Sequence, residues 1–99
     1  MNDLLNLVVN EGAEELRLEP GKCPTMILRG NPRVIDPRIL SNADAVDLFD
    51  SISTEKHREE LERCGDVQYR HTGESDAKFK VSAALQGGNV HLRITNLGR

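Results

Sequence analysis

Aromatic residues are nearly missing from this sequence: Phe49, Tyr69 and Phe79 are the only three in 99 residues, and tryptophan is absent. Three rings are too few to line a haem or flavin pocket and fill a core as well, so no cofactor is expected. Cysteine is as scarce. Cys23 and Cys64 stand far apart, with no Cys-x-x-Cys and no histidine at metal spacing, which argues against a zinc site. Two cysteines allow one disulfide, but the absence of a basic leader with a small-residue cleavage site points to a cytoplasmic protein with reduced thiols. Cys64 then reads as a small buried hydrophobe and Cys23, beside Pro24, as the more exposed thiol. No apolar run reaches bilayer length, so direct membrane insertion is not expected. The formal net charge of -3 supplies no general attraction to nucleic acid or anionic lipid, and a basic patch must be local.

The residues that are present follow an orderly pattern. Leu4, Leu7 and Val8 share one helical face, with Asn2 or Asp3 placed to cap it and Gly12 to stop it. Beyond Gly12, Leu16 and Leu18 alternate with Glu15, Arg17 and Glu19, the period of a half-buried strand that ends at EPGKCP. Gly12 is therefore expected at positive φ, in a helix-to-strand corner. TMILR predicts a second strand, GNP a turn, and RVI a short extended piece broken by Pro37. In SNADAVDLFDSI, Ser41 and Asp44 form a capping-box variant, and Ala45, Leu48, Phe49 and Ile52 recur at helical spacing. Asp44, Asp47 and Asp50 spread over the solvent side of that helix. STEKHREELERCG predicts another helix, with His57, Leu61 and Cys64 on one face and Gly65 as its stop.

The last third turns to strands. DVQY is strand-like and HTGESD reads as a turn. KFKVSAAL sets Phe79, Val81, Ala83 and Leu85 against Lys78, Lys80 and Ser82, and VHLRIT sets Val90, Leu92 and Ile94 against His91, Arg93 and Thr95. QGGN between them is a hairpin turn rather than a phosphate cradle, because Gly87-Gly88 lacks the lysine and helix a cradle needs. Phe49, Ile52, Phe79, Val81, Leu92 and Ile94 are expected to meet in one core. No repeat, linker or low-complexity segment divides the chain, so residues 1–99 read as one α+β domain, an antiparallel sheet with helices packed on one face.

In this order the elements resemble the N-terminal domain of the type IV pilus retraction motors, the PilT-like branch of the type II secretion ATPase family. The resemblance is carried by LLNLVVNEGAEELRL, MILRGNPRVI, GDVQY and FKVSAALQGGNVHLRI, and covers nearly the whole chain. It implies a PAS-like sheet, joined in the family by a short linker to an ATPase core, and ITNLGR resembles the start of that linker. The core's Walker A and Walker B motifs do not occur in these residues, so no ATPase activity is expected. The sequence also departs from the family. Glu14, Glu15, Leu16, Arg17 and Leu18 stand where Ser-Asp-Leu-His-Leu is frequent, Gln68 where an Asp is frequent, and Gln86 where an Arg is usual.

Arg17, Lys78, Lys80 and Arg93 alternate with core residues, which places them on the sheet face away from the helices. They are the candidate partner-docking or nucleotide-facing residues, since arginines on the closing strands of related motors help read the nucleotide. Lys80 and Arg93 are expected opposite each other, or nearly so. The face offers no aromatic platform for RNA, and no nucleic-acid partner is expected. His57, His71 and His91 show no Ser-His-Asp or Cys-His order, so no catalytic or metal-binding residue is assigned. The resemblance implies a non-catalytic module that docks onto the ATPase core of the same or a neighbouring subunit, with self-association left open. A stand-alone PAS-like sensor, holding a small ligand between sheet and helices, is the alternative.

Overall fold

Local signals fix the ends of the first elements, and the structure, a computed structural model, describes residues 2–73 and 76–98. Helix α1 (Asn2–Glu11) stops at Gly12, whose φ of 68° turns the chain into strand β1 (Glu15–Leu18). Leu5 and Val8 are the side chains that α1 buries, with Leu4 and Leu7 flanking them half-buried. Val8 is thus buried as expected, while Leu5 takes the central place expected of Leu4 and Leu7. Strands β2 (Thr25–Leu28) and β3 (Asn31–Val34) form a hairpin. Its turn is Arg29-Gly30, both at positive φ, rather than GNP. Leu28 pairs with Asn31, so Asn31 and Pro32 already belong to the returning edge strand, where a missing N–H is tolerated.

Helix α2 (Asn42–Ile52) opens with the expected capping box. The Asp44 amide donates to Ser41 Oγ and the Ser41 amide to Asp44 Oδ2, each at 3.1 Å. That second bond holds the Asp44 carboxyl below its usual range. Helix α3 (Glu55–Cys64) opens on a box with histidine in the acidic position: the Thr54 amide donates to His57 Nδ1 at 3.2 Å. The His57 ring lies flat on Tyr69, with centroids 3.7 Å apart and planes 9° from parallel. The Tyr69 hydroxyl donates to the Ile52 carbonyl at 3.0 Å, and burial pushes its pKa up to about 12. Tyr69 thus fastens the α2–α3 junction to the sheet. Cys64 is exposed and Cys23 half-buried, the reverse of the expectation. The α3 face that meets the sheet is centred on Leu61, and Glu62, Arg63 and Cys64 beyond it are exposed, while Cys23 Sγ lies 3.3 Å from the Pro37 carbonyl.

Strands β4 (Asp66–Thr72), β5 (Lys78–Gln86) and β6 (Asn89–Gly98) complete an antiparallel sheet of order β3-β2-β1-β6-β5-β4. β4 continues through His71 and Thr72, which the sequence reading placed in a turn, while Glu74 and Ser75 of that turn lie outside the described residues. Gly87 and Gly88, at φ of 60° and 83°, make the two-residue turn that lets Gln86 pair with Asn89. Helix α1 packs on β1 and β6, α2 on β6, and α3 on β4 and β5. The Val90 amide donates to Asn42 Oδ1 at 2.9 Å, tying the start of α2 to the closing hairpin.

The six residues expected to meet do so: Phe49, Ile52, Phe79, Val81, Leu92 and Ile94 belong to one buried cluster between sheet and helices. Leu16, Leu18 and Val8 complete its centre. Phe79 is fully buried, and Phe79→Ala should cost about 3–5 kcal/mol in urea denaturation. His71 pairs across the ladder with Phe79, and partial burial lowers its pKa from 6.5. The fold therefore favours the neutral ring. The stability this contributes is present above pH 6.5 and is lost as pH falls through the folded-state pKa. Urea midpoints of the wild type should fall more steeply than those of His71→Gln between pH 8 and 5.5.

Candidate functional site

The strand registers place the polar residues of the outer sheet face in rows. Arg70, Lys80, Thr95 and Glu15 lie side by side across β4, β5, β6 and β1, and Gln68, Ser82, Arg93 and Arg17 form the next row. Lys78 lies one row beyond Lys80, opposite Thr72. All four cations picked out in the sequence therefore share the face turned away from the helices. Lys80 pairs with Thr95 and Arg93 with Ser82, so Lys80 and Arg93 are diagonal rather than directly opposite neighbours. Long side chains on a diagonal remain within reach of a common ligand.

Arg17 and Arg93 are directly opposed across β1 and β6, an arrangement of like charges that would cost stability unrelieved. Glu15 relieves it. Its Oε1 lies 2.6 Å from Arg93 Nε and its Oε2 3.3 Å from Arg17 Nη2, so each carboxylate oxygen holds one guanidinium. The Glu15 side chain is 16% exposed and the arginines reach outward over it, at 42% and 60%. A second like-charge pair, Arg70 opposite Lys80, has no carboxylate within ion-pair distance among the described residues. Lys78 Nζ reaches only the Thr72 hydroxyl, at 3.4 Å. The face thus has a centre where Glu15 offsets one of two guanidinium charges, and an unrelieved cationic corner at Arg70, Lys78 and Lys80.

Arg70 and the role of Glu15 were missed in the sequence. Alternation of Val67, Tyr69 and His71 with Gln68, Arg70 and Thr72 would have placed Arg70 outward, had the strand been carried past Tyr69. Glu15 bears on Arg93 only because β1 pairs with β6, a long-range pairing that no local pattern announces. Beside the arginines, Ser82 and Ala84 form the floor of an open concavity of about 350 Å³, with Gln68 and His91 also lining it. Such a floor of short side chains under long cationic ones can receive an anionic surface. Among the described residues no three histidine, cysteine, aspartate or glutamate side chains gather as a metal site.

No protein-family model matches the chain, and no curated protein sequence does either. Solved structures do. The pilus retraction motor PilT with bound ADP superposes with a TM-score of 0.88 at 24% identity, over 96% of this chain and 28% of the motor. The Legionella pneumophila ATPase DotB follows the chain over 99% of its length and 28% of its own, with a TM-score of 0.77 at 22% identity. For the Yersinia pseudotuberculosis ATPase DotB the TM-score is 0.79 at 13% identity, over 96% of this chain and 29% of that one. The fold is that of the N-terminal part of these motors. The chain spans less than a third of the length of the structures it matches. No helix among the described residues is long and apolar enough to cross a membrane.

Removing the carboxylate that separates the two opposed arginines should be felt in the fold itself. Glu15→Gln should lower stability by about 1–2 kcal/mol, with part of the loss recovered in salt as the guanidinium repulsion is screened. Urea denaturation at low and at moderate ionic strength measures both effects.

Proposed function

We propose that this chain is a non-catalytic interaction module, equivalent to the N-terminal domain of a pilus-retraction or secretion motor, which docks its cationic sheet face onto the ATPase core of the same or a neighbouring subunit. The observation that carries the reading is the lopsided coverage: nearly all of this chain, but 28% of the PilT structure, is shared. A domain of this fold works in those chains beside a larger remainder, and residues 1–99 hold no Walker motif of their own. Residues 1–99 act as one domain in this reading, and its place is the cytoplasm, on the side where ATP is available.

The sheet face supports the choice of docking surface. Arg70, Lys80 and Lys78 crowd one corner without a compensating carboxylate, so an anionic partner surface would relieve a repulsion that the isolated domain has to bear. Arg17 and Arg93, held upright by Glu15, present fixed guanidinium groups beside the small-residue floor. Fixed geometry lowers the ordering cost of association.

Fold and docking respond oppositely to one substitution. Lys80→Glu places a carboxylate opposite Arg70, so the isolated domain should gain about 0.2–1 kcal/mol. The same change should slow association with the purified ATPase core encoded in the same genome, by threefold or more at low salt and less at moderate salt. Stopped-flow or surface-plasmon measurements across the salt series check this. Equal association of wild type and variant at every salt concentration would return the sheet face to solvent and remove the proposal.

A further inference from the structure

On the helix side of the molecule, opposite the cationic sheet face, α1, α2 and the loop from Ile35 to Leu40 enclose an open groove of about 550 Å³. Its apolar lining comes from Leu4 on α1, Leu48 on α2, and Ile35, Ile39 and Leu40 on the loop. Ile39 is 67% exposed, a large aliphatic side chain left in water at the rim. The remaining rim is acidic. Asp3, Asp44 and Asp47 border the groove with Asp36, against the single guanidinium of Arg38. Arg38 is itself committed to Asp36, with Nη2 3.1 Å from Oδ2, so among the described residues Asp3, Asp44 and Asp47 have no cation within ion-pair distance.

The loop that forms the floor is stitched in place. The Ile35 amide donates to the Pro24 carbonyl at 2.9 Å, the Leu40 amide to the Lys22 carbonyl at 3.0 Å, and the Gly21 amide to the Leu40 carbonyl at 2.8 Å. A groove so held keeps its shape without an occupant, and binding would not have to order it. Its chemistry is also the reverse of the sheet face: aliphatic in the middle and negative at the edge.

From this complementarity we infer that the groove is a docking site for a short basic amphipathic helix of a partner protein, whose aliphatic residues lie against Leu4, Ile39, Leu40 and Leu48 while its Lys or Arg side chains meet Asp3, Asp44 and Asp47. Helix-in-groove recognition needs an apolar trench between helical walls, and the rim charge selects among the helices that could fill it. The inference is independent of the sheet-face reading, because the two surfaces lie on opposite layers and call for partners of opposite charge. Together they describe a domain that can hold an anionic neighbour on one side and a cationic segment on the other.

The test uses the isotopically labelled chain and two 14-residue model helices, identical in their leucines at i, i+3, i+4 and i+7, one with lysine and one with glutamate at the remaining positions. Titration of the lysine peptide should shift the amide resonances of Leu4, Ile39, Leu40 and Leu48, and the glutamate peptide should leave them in place. Asp3→Asn/Asp47→Lys, which spares the Asp44 cap, should weaken lysine-peptide binding about threefold to tenfold, and more at low salt than at moderate salt. Ile39→Ser, at a residue outside the buried core, should weaken it about tenfold without disturbing the fold. Shifts that fall on the sheet face or spread without a centre would overturn the inference, as would wild-type affinity in both variants. A groove whose resonances move with the concentration of the chain alone would be covered by a second copy, and that result also overturns it.

Discussion

Burial of a single sheet face is the constraint on which the rest of this molecule rests. The closing hairpin presents Phe79, Val81, Leu92 and Ile94 to one side, all nearly or fully inaccessible to water, and the chain has only enough apolar side chain to cover that side. The three helices are recruited to it: α1 by Leu5 and Val8, α2 by Ala45, Phe49 and Ile52, α3 by Leu61. Because side chains alternate strictly along a strand, fixing the inner set fixes the outer set as well. The alignment of Arg17, Arg93, Lys80, Lys78 and Arg70 on one surface is thus a by-product of how the core is packed. Moving any of them inward would require a register slip that also pushes a core residue out.

What could be read from the sequence was whatever is decided within a few residues. Period-two alternation in KFKVSAAL and VHLRIT, the Ser41–Asp44 cap, the corner at Gly12 and the Gly87-Gly88 turn all depend on near neighbours, and the structure has each of them. The errors concern features settled from a distance. Cys64 continues the spacing of Leu61, but Leu61 is the buried side chain of α3 and Cys64 is left exposed. Cys23 is covered because the loops at 20–24 and 35–40 are laced together by backbone hydrogen bonds. The Arg29-Gly30 turn was displaced in the reading because an arginine at φ of 52° is an unfavourable choice, imposed by the pairing of Leu28 with Asn31. Of the candidate site, the sequence showed the cations and their common face. It did not show that Glu15 stands between two of them.

Charge is unevenly distributed over a chain that is acidic as a whole. The outer face gathers cations at one corner, whereas α2 carries Asp44, Asp47 and Asp50 and the groove beside it is bordered by carboxylates. A net charge of -3 conceals this separation. A domain with such a dipole is oriented in the field of a charged neighbour before contact, which favours one face over the other at encounter. The structural likeness to the N-terminal part of PilT and DotB, at 24% identity and below, shows that the same fold is reached from widely different sequences.

Pro32 has a consequence for assembly. It sits in β3, the strand at one end of the sheet, and lacks the N–H that an added strand would need to bond. That end of the ladder offers one donor fewer to an added strand, while β4 ends the other side with a full complement of backbone donors. Edge-to-edge pairing between copies is therefore favoured at β4 over β3, and this asymmetry works against the repeated strand addition that would grow a ribbon.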